Sequence, residues 1–388
     1  MKILNVILSL DPALGGPPEG LRQNLRSRAF ASHEVEIVCG DLPGAPYHRD
    51  WPCPIHALGP RMRRYSYTPA LIPWLKANAS RFDAVVVHGV WNFGSLGTWL
   101  GLRGSGTPFF LFTHGMLDPW FRKAYPLKHW VKQAFWWAIE GRVLEAARCV
   151  LFTAEDEQRL ARTAYLGHGD YRSRIVGYGT SDVADAPEAQ LAAFRAAMPA
   201  LADKPFLLFL SRLHAKKGCD LLIEAFAGVA AQYPDLQLVM AGPDQMGWQG
   251  ALQARAVELG IASRVHWPGM LTGDAKWGAF RSAEAFVLPS HSENFGVVVA
   301  ESLACGTPVL ITNKVNIWRE VVAAGAGLAV EDNQTAVTAM LEQFLSLDPA
   351  ARDKMTAQTR PCFLAHFEIE AASERLVATL ASPIHEDD

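Results

Sequence analysis

Short apolar runs rich in β-branched residues alternate with helix-length amphipathic stretches along this whole chain, and that alternation is its strongest constraint. In the first half the strand-like runs are 2–8, 34–39, 84–88, 109–113 and 149–153; in the second they are 205–210, 236–241, 264–267, 285–288 and 308–311. Stretches such as 219–232 and 249–259 carry helical periodicity between them. Continuous apolar strands separated by helices indicate parallel sheets covered on both faces. Two successive series predict an α/β protein of two doubly wound domains. The Gly-Tyr-Gly-Thr-Ser-Asp stretch from Gly177, with the Ala/Pro/Asp-rich residues after it, marks a boundary within 177–188. We therefore expect an N-terminal domain over 1–183 and a second over 184–363. A further connection near Arg360-Pro361 and a last helix at about 364–381 complete the expectation.

Composition narrows the class. Half of the 388 residues are apolar and 19% are charged, which is ordinary for a globular protein. Cysteines 39, 53, 149, 219, 305 and 362 include no Cys-x-x-Cys pair, so neither a zinc ribbon nor a redox dithiol is suggested. The first ten residues hold one lysine and a short apolar run ended by Asp11, which reads as a strand rather than a leader. No run reaches the roughly 18 apolar residues of a spanning helix. A cytoplasmic protein is expected. The net charge of −3 hides an asymmetry: residues 1–183 hold 21 Lys/Arg against 15 Asp/Glu, and the remainder 15 against 24. A basic first half suits either an anionic surface or acceptor, or uneven solvated faces. Nucleic acid is not an expected partner.

The stretch 288–309 carries most of the chemistry. It leaves an apolar strand, crosses the polar loop Ser290-His291-Ser292-Glu293-Asn294 and enters an apolar helix from about Phe295-Gly296-Val297. Loops at the carboxyl ends of parallel strands are where open α/β sheets bind ligands. A helix N-terminus there offers unpaired N–H groups to a phosphate. Glu293 precedes this helix and Glu301 lies about two turns along it. Carboxylates repel phosphate, so they suit sugar hydroxyls: Glu293 the transferred sugar, Glu301 a ribose. A solvated helix face is the plain alternative. Ser211-Arg212-Leu213-His214-Ala215-Lys216-Lys217 also joins a strand to a helix, and Arg212 and Lys217 would converge on a diphosphate, the first as a fork and the second as a point charge. A basic surface loop is the alternative. Gly242 and Asp244 end the next strand, where close backbone approach and turn chemistry are both open readings.

In the first half, Gly15-Gly16 follows the first strand without Gly-x-Gly-x-x-Gly spacing, which disfavours a nicotinamide dinucleotide site. His114, at another strand end, reads either as a group contacting the transferred sugar or its phosphate, or as a buried structural histidine.

Together these segments resemble glycosyltransferase family 4, the retaining group with the GT-B fold. The likeness runs over nearly the whole chain and is strongest across 209–218, 241–244 and 288–309, including Glu293, Phe295, Gly296 and Glu301 as a Glu-x7-Glu element. The resemblance implies two Rossmann-like domains facing a cleft, the first for the acceptor and the second for a nucleotide-sugar donor. It implies that Arg212 and Lys217 bind the donor diphosphate, with Gly15-Gly16 and His114 on the opposite wall. It also implies that the C-terminal helix crosses back to the first domain, and that the acceptor attacks from the front face with no protein nucleophile. One departure stands out: the family's Gly-Gly-x-x-Glu run is represented by 314–320, which keeps Glu320 but has no glycine.

The expected reaction is transfer of a hexose-type sugar from a UDP- or GDP-linked donor to a glycan or lipid-linked acceptor in surface polysaccharide synthesis. Arg212, Lys217 and the amides near Phe295-Gly296 would stabilise the leaving diphosphate. No metal or other cofactor is expected, since no Asp-x-Asp ends a strand. A sugar-nucleotide epimerase, a phosphorylase and a non-catalytic nucleotide-sugar-binding protein are the competing readings. Residues 120–142 mix five Lys/Arg with four Trp, as a helix lying against an anionic membrane would; packing of those tryptophans on the sheet is the alternative. On the membrane reading the protein sits at the inner face of the cell membrane.

Overall fold

The computed structural model describes residues 1–382 apart from 15, 63, 64, 120, 121, 123–125, 202 and 203. The chain forms two compact units, Met1–Gly179 with Ile369–Asp388, and Thr180–Glu368. Each is built on one parallel sheet.

The first sheet contains β1 (Lys2–Ile7), β2 (Glu34–Cys39), β3 (Ile55–Ala57), β4 (Ala84–His88), β5 (Phe109–Phe112), β6 (Cys149–Phe152) and β7 (Ser173–Ile175), ordered β3-β2-β1-β4-β5-β6-β7. Every residue of β4, β5 and β6 is buried, as expected for strands covered on both faces. One face packs Val85, Val87, Leu111 and Phe152 against Leu71, Leu75 and Phe93 of the covering helices. The other packs Ile3, Val86 and Phe110 with Phe30 and with Leu376 and Leu380 of the last helix, Ile369–Ala381. Ser373 of that helix donates to the Asn24 side chain, a buried bond of 3.0 Å.

The second sheet contains β8 (Phe206–Leu210), β9 (Gln237–Ala241), β10 (Val265–Gly269), β11 (Ala285–Leu288), β12 (Val309–Thr312) and β13 (Gly327–Val330), ordered β10-β9-β8-β11-β12-β13. Both sheets follow one winding rule. The chain builds outward from the first strand in one direction, then returns and builds in the other. The reversal falls between β1 and β4 and between β8 and β11, and ligands of open α/β sheets bind at the carboxyl ends of such strand pairs.

Three strands lack a clear sequence signal: β3, β7 and β13. All are short and lie at sheet edges, and only one of their residues, Gly327, is fully buried. An edge strand with one solvated face needs no apolar run. The last helix also starts later than 364: Phe363–Phe367 is a π-helical turn closing the helix Pro349–Cys362, and regular helix resumes at Ile369. Pro361 lies inside that earlier helix and lacks an N–H, so the hydrogen-bond ladder is already interrupted two residues before the π turn.

Candidate functional site

In the second unit two loops meet at the winding reversal. The loop 211–218 follows β8, and the loop 289–296 follows the neighbouring β11. The His291 N–H donates to the Lys216 carbonyl at 2.9 Å. Gly218, at φ +65°, passes so close to Pro289 that any Cβ would overlap the Pro289 carbonyl oxygen. Only glycine allows both that conformation and that approach. The contact delivers Lys217 to Glu293, and the ammonium pairs with carboxylate Oε2. Both are largely shielded, with side-chain exposures of 11% and 19%.

The Glu293 backbone is held as firmly as its side chain. Its N–H donates to the Lys314 carbonyl at 2.9 Å, and its carbonyl accepts from the Asn316 N–H at 3.0 Å. The segment after β12 that lacks the family's two glycines is therefore the brace beneath Glu293. Lys314 is itself anchored by ion pairs to Glu331 at 2.9 Å and Asp332 at 3.6 Å. Asn316 reaches the side chain of Asn294 at 3.4 Å. Gly296, at φ +71°, turns the chain into the helix Val297–Ala304, which begins slightly later than expected. Phe295 is buried edge-on against Phe367, with centroids 5.7 Å apart, and so is a packing residue. Val297 is the first, half-buried residue of the helix.

Glu301 is not a solvated helix residue. It is buried, and Lys276 from the helix Gly273–Ser282 reaches its Oε1 at 2.7 Å. The same ammonium lies 3.9 Å from the Trp277 ring centroid. Lys276 has no sequence signal, because a lone lysine in a helix gains meaning only when the fold sets it beside Glu301. Arg212, by contrast, is exposed and makes no hydrogen bond or ion pair with any described residue.

Gly242 and Asp244 have local structural tasks. At φ +146°, Gly242 lies against the Ser211 carbonyl, which a Cβ would overlap, and its N–H donates to Gly269 at 2.7 Å. The close approach read from the sequence is thus to the chain itself. Asp244 is exposed and accepts from the N–H groups of Trp248 and Gln249 at 2.8 and 3.0 Å. Those two bonds cap the helix Gln249–Glu258 and, as the leading cause, lower the Asp244 pKa.

The first unit builds something different. His114 follows β5 at φ +48°, a conformation rare outside glycine. Glu157 holds this turn. Its two buried carboxylate oxygens accept from Thr113 Oγ1 and Gly115 N–H, and from Thr153 N–H and Oγ1, at 2.6–2.7 Å. His114 Nε2 lies 3.1 Å from His88 Nδ1, and His88 Nε2 lies 3.0 Å from Asn5 Oδ1. The two imidazoles stack with Phe112 between 5.2 and 5.7 Å. Dense packing pushes His114 down to about 4 and His88 well below its ordinary value, so both rings are neutral at physiological pH.

Gly16 opens the helix Gly16–Arg26, and its carbonyl accepts from Tyr178 Oη at 2.9 Å; a Cβ there would meet open space. Gly15 lies outside the described residues. The loop after β1 is fixed by Asp41, which accepts from Ser9 Oγ and from Leu10 N–H at 2.8 Å and pairs with Arg61 at 2.9 Å. Burial alone would raise the Asp41 pKa, but these bonds, His48 and the Arg61 charge hold it below the usual carboxylate range. Asp41, Cys39 and His48 are the one metal-ligand trio among the described residues. It suits a metal poorly. Arg61 already supplies the cation, and burial pushes the Cys39 thiol up to about 12.

The sequence matches two family models: residues 15–179 match the glycosyl transferase 4-like domain, and 193–361 match glycosyl transferases group 1. Among curated relatives, the D-inositol 3-phosphate glycosyltransferase of Rhodococcus jostii is 30% identical over 240 residues, 61% of this chain and 52% of that protein. The alpha-D-kanosaminyltransferase of Streptomyces kanamyceticus is 28% identical over 244 residues, 62% of this chain and 61% of that one. The chain thus spans about half the length of the first of these relatives. Two solved structures share the fold. Sucrose-phosphate synthase from Thermosynechococcus elongatus has a TM-score of 0.73 at 22% identity, covering 97% of both chains. Anabaena HepE in complex with UDP and glucose has a TM-score of 0.73 at 17% identity, covering 98% of this chain and 99% of that one. With both family models in chain order, each on its own doubly wound sheet, the chain belongs to the GT-B glycosyltransferases of the family 4 type.

Proposed function

We propose that the chain transfers a hexose-type sugar, with retention, from a UDP- or GDP-sugar to a glycan or lipid-linked acceptor in cell-surface glycan synthesis. The observation that carries this reading is the Lys217–Glu293 pair at the β8/β11 reversal, at the entry of the helix Val297–Ala304. A diphosphate there meets Lys217, the exposed guanidinium of Arg212 and a helix N-terminus, three sources of positive potential. Glu293, neutralised by Lys217, is left to accept from a sugar hydroxyl instead of repelling the phosphate. Glu301, held by Lys276, is placed to accept from a ribose. As the glycosidic bond breaks, negative charge grows on the departing diphosphate, and fixed cations stabilise that charge without reorganising. Two cations and a helix end supply this without a metal. The UDP bound in HepE and the phosphorylated polyol named for the inositol-phosphate relatives support a nucleotide-sugar donor and a hydroxyl acceptor.

The acceptor side of the proposal rests on the helix Pro126–Phe135, of which only Gln133 is fully buried among the described residues. Leu127, Trp130, Val131 and, just beyond it, Trp137 are 84%, 63%, 72% and 45% exposed, with Arg122, Lys128 and Arg142 also on the surface. Apolar rings beside cations suit an anionic bilayer, and hence a lipid-linked acceptor at the inner membrane face. No helix among the described residues is long and apolar enough to cross a membrane.

The test of the donor reading is a panel of UDP-, GDP- and ADP-sugars assayed for a rise in melting temperature and for turnover. One sugar nucleotide stabilises the protein and is slowly hydrolysed, and Glu293→Ala loses transfer; a panel with neither binding nor turnover sinks the reading. An epimerised sugar formed without acceptor, or glycan cleavage that needs inorganic phosphate, would identify the epimerase or phosphorylase instead.

A further inference from the structure

His114 was singled out for its place at a strand end, but the residue behind it decides what it can do there. His88, the last residue of β4, is buried and sits between Asn5 and His114. A neutral imidazole has one N–H and one lone pair, so two imidazoles and an amide in a row have a direction. Asn5 Oδ1 can only accept, so the facing His88 Nε2 carries the proton. His88 Nδ1 is then a lone pair, and the facing His114 Nε2 must donate to it. That leaves the lone pair of His114 on Nδ1, the nitrogen that no described residue engages.

We propose that His88 is a positioning residue that locks His114 into its Nε2–H tautomer, so that His114 offers an acceptor, and not a donor, to a ligand hydroxyl. The ligand group selected is therefore an O–H able to donate, as sugars present. Asn5 Oδ1 is the end that faces His88, and Asn5 Nδ2 has no hydrogen-bond partner among the described residues. Turning the amide over would strand the carbonyl and reverse the whole chain of donors, making His114 a donor. The two arrangements thus give opposite tautomers at His114.

This inference rests on the transferase reading for its ligand but not for its test. In the full-length protein labelled with 15N at histidine, long-range proton–nitrogen correlation at neutral pH reports which ring nitrogen is protonated. We expect His114 as the Nε2–H tautomer, and an Nδ1–H tautomer overturns the proposal. In His88→Phe, which keeps a stacked ring but removes the acceptor, His114 becomes a tautomer mixture; an unchanged pure Nε2–H signal overturns it equally. Asn5→Asp, a side chain that only accepts, retains the wild-type tautomer, and a change from Nδ1–H in the wild type to Nε2–H in this variant shows that the wild-type chain runs the other way. In transfer assays His88→Phe lowers kcat about tenfold with donor KM within twofold, and equal loss in both arms of that split also counts against positioning. Absence of any turnover in the wild type defeats the functional reading and leaves the tautomer result standing.

Discussion

The two sheets are wound in the same order, yet the strand pairs where they reverse direction carry opposite chemistry. At β8/β11 the side chains are ions in pairs: Lys217 with Glu293 and Lys276 with Glu301, with Arg212 exposed beside them. At β1/β4 the equivalent place holds a neutral row, Asn5, His88 and His114, and the nearby carboxylates Asp41 and Glu157 are spent on fixing loops. The backbone topology specifies only where a ligand can approach. Whether that ligand is a phosphate or an uncharged hydroxyl is decided by a handful of residues after the strands.

The sharpest way to break this contrast is to remove charge where it is said to matter. Lys217→Ala should lower kcat by a hundredfold or more, about 3 kcal/mol of lost stabilisation of the leaving group, while His114→Gln falls far less. Steady-state kinetics with the donor found by thermal shift decide it, and equal losses at the two places would erase the distinction.

Next in size is the contact that makes the charged site possible. Gly218→Ala puts a methyl on the Pro289 carbonyl at a positive φ, and unfolding titrations should show about 2–3 kcal/mol of destabilisation. Gly16→Ala, with open space around the new methyl, should change stability by less than about 1 kcal/mol. A harmless Gly218→Ala would mean that the two loops are not clamped.

The neutral region has its own signature in pH. Folded His114 holds a pKa of about 4, while the unfolded chain protonates near 6.5, so the unfolded state binds more protons between those values. Its contribution is complete above pH 6.5 and is lost as pH falls towards 4, roughly 2 kcal/mol by pH 5. Glu140 runs the other way. It is buried in a π-helical turn with Ser95, Tyr65 and the Trp91 N–H, and burial raises it to about 7. The folded state binds more protons there, so that contribution is present at low pH and is lost as pH rises from 4.5 through 7. Glu140→Gln should therefore steepen the loss of stability between pH 7 and 5 by about 2 kcal/mol, read from denaturant midpoints at the two pH values. An unchanged slope removes Glu140 from the account.

The smallest expected effect on transfer is at Lys276. Lys276→Met keeps the stem and removes the charge facing Glu301, and donor KM should rise about tenfold with kcat nearly constant, near 1.4 kcal/mol of uniform binding. A change in kcat alone would place Lys276 with the reacting groups instead.

The sequence made the charged region far easier to read than the neutral one. Glu293, Glu301, Arg212 and Lys217 sit in two continuous strand–loop–helix segments, so local spacing already grouped them. Their partners arrive from elsewhere: Lys276 from another helix, and Lys314 and Asn316 from the loop after β12. The Asn5–His88–His114 row draws on two strands and the turn after a third and has no spacing to detect. Gly242 and Asp244 stayed open between ligand contact and turn chemistry in the sequence, because turns and caps use the same residue types as binding loops. Nine of the ten strands legible from the sequence lie inside the sheets, where burial demands apolar runs; of the four edge strands only β10 was legible, and β3, β7 and β13 were missed because solvent covers part of them.

The return of the helix Ile369–Ala381 to the first sheet sets an order of assembly during synthesis. The second unit is one uninterrupted stretch, Thr180–Glu368, and can close its core as soon as its last strand and covering helices leave the ribosome. The first unit, although it emerges earlier, waits for Leu376 and Leu380 to cover Ile3, Phe30 and Val86. Its seven strands thus spend the translation of nearly two hundred further residues with one apolar face unsealed. In the growing chain, this earlier-made half is the one exposed to aggregation and to chaperones.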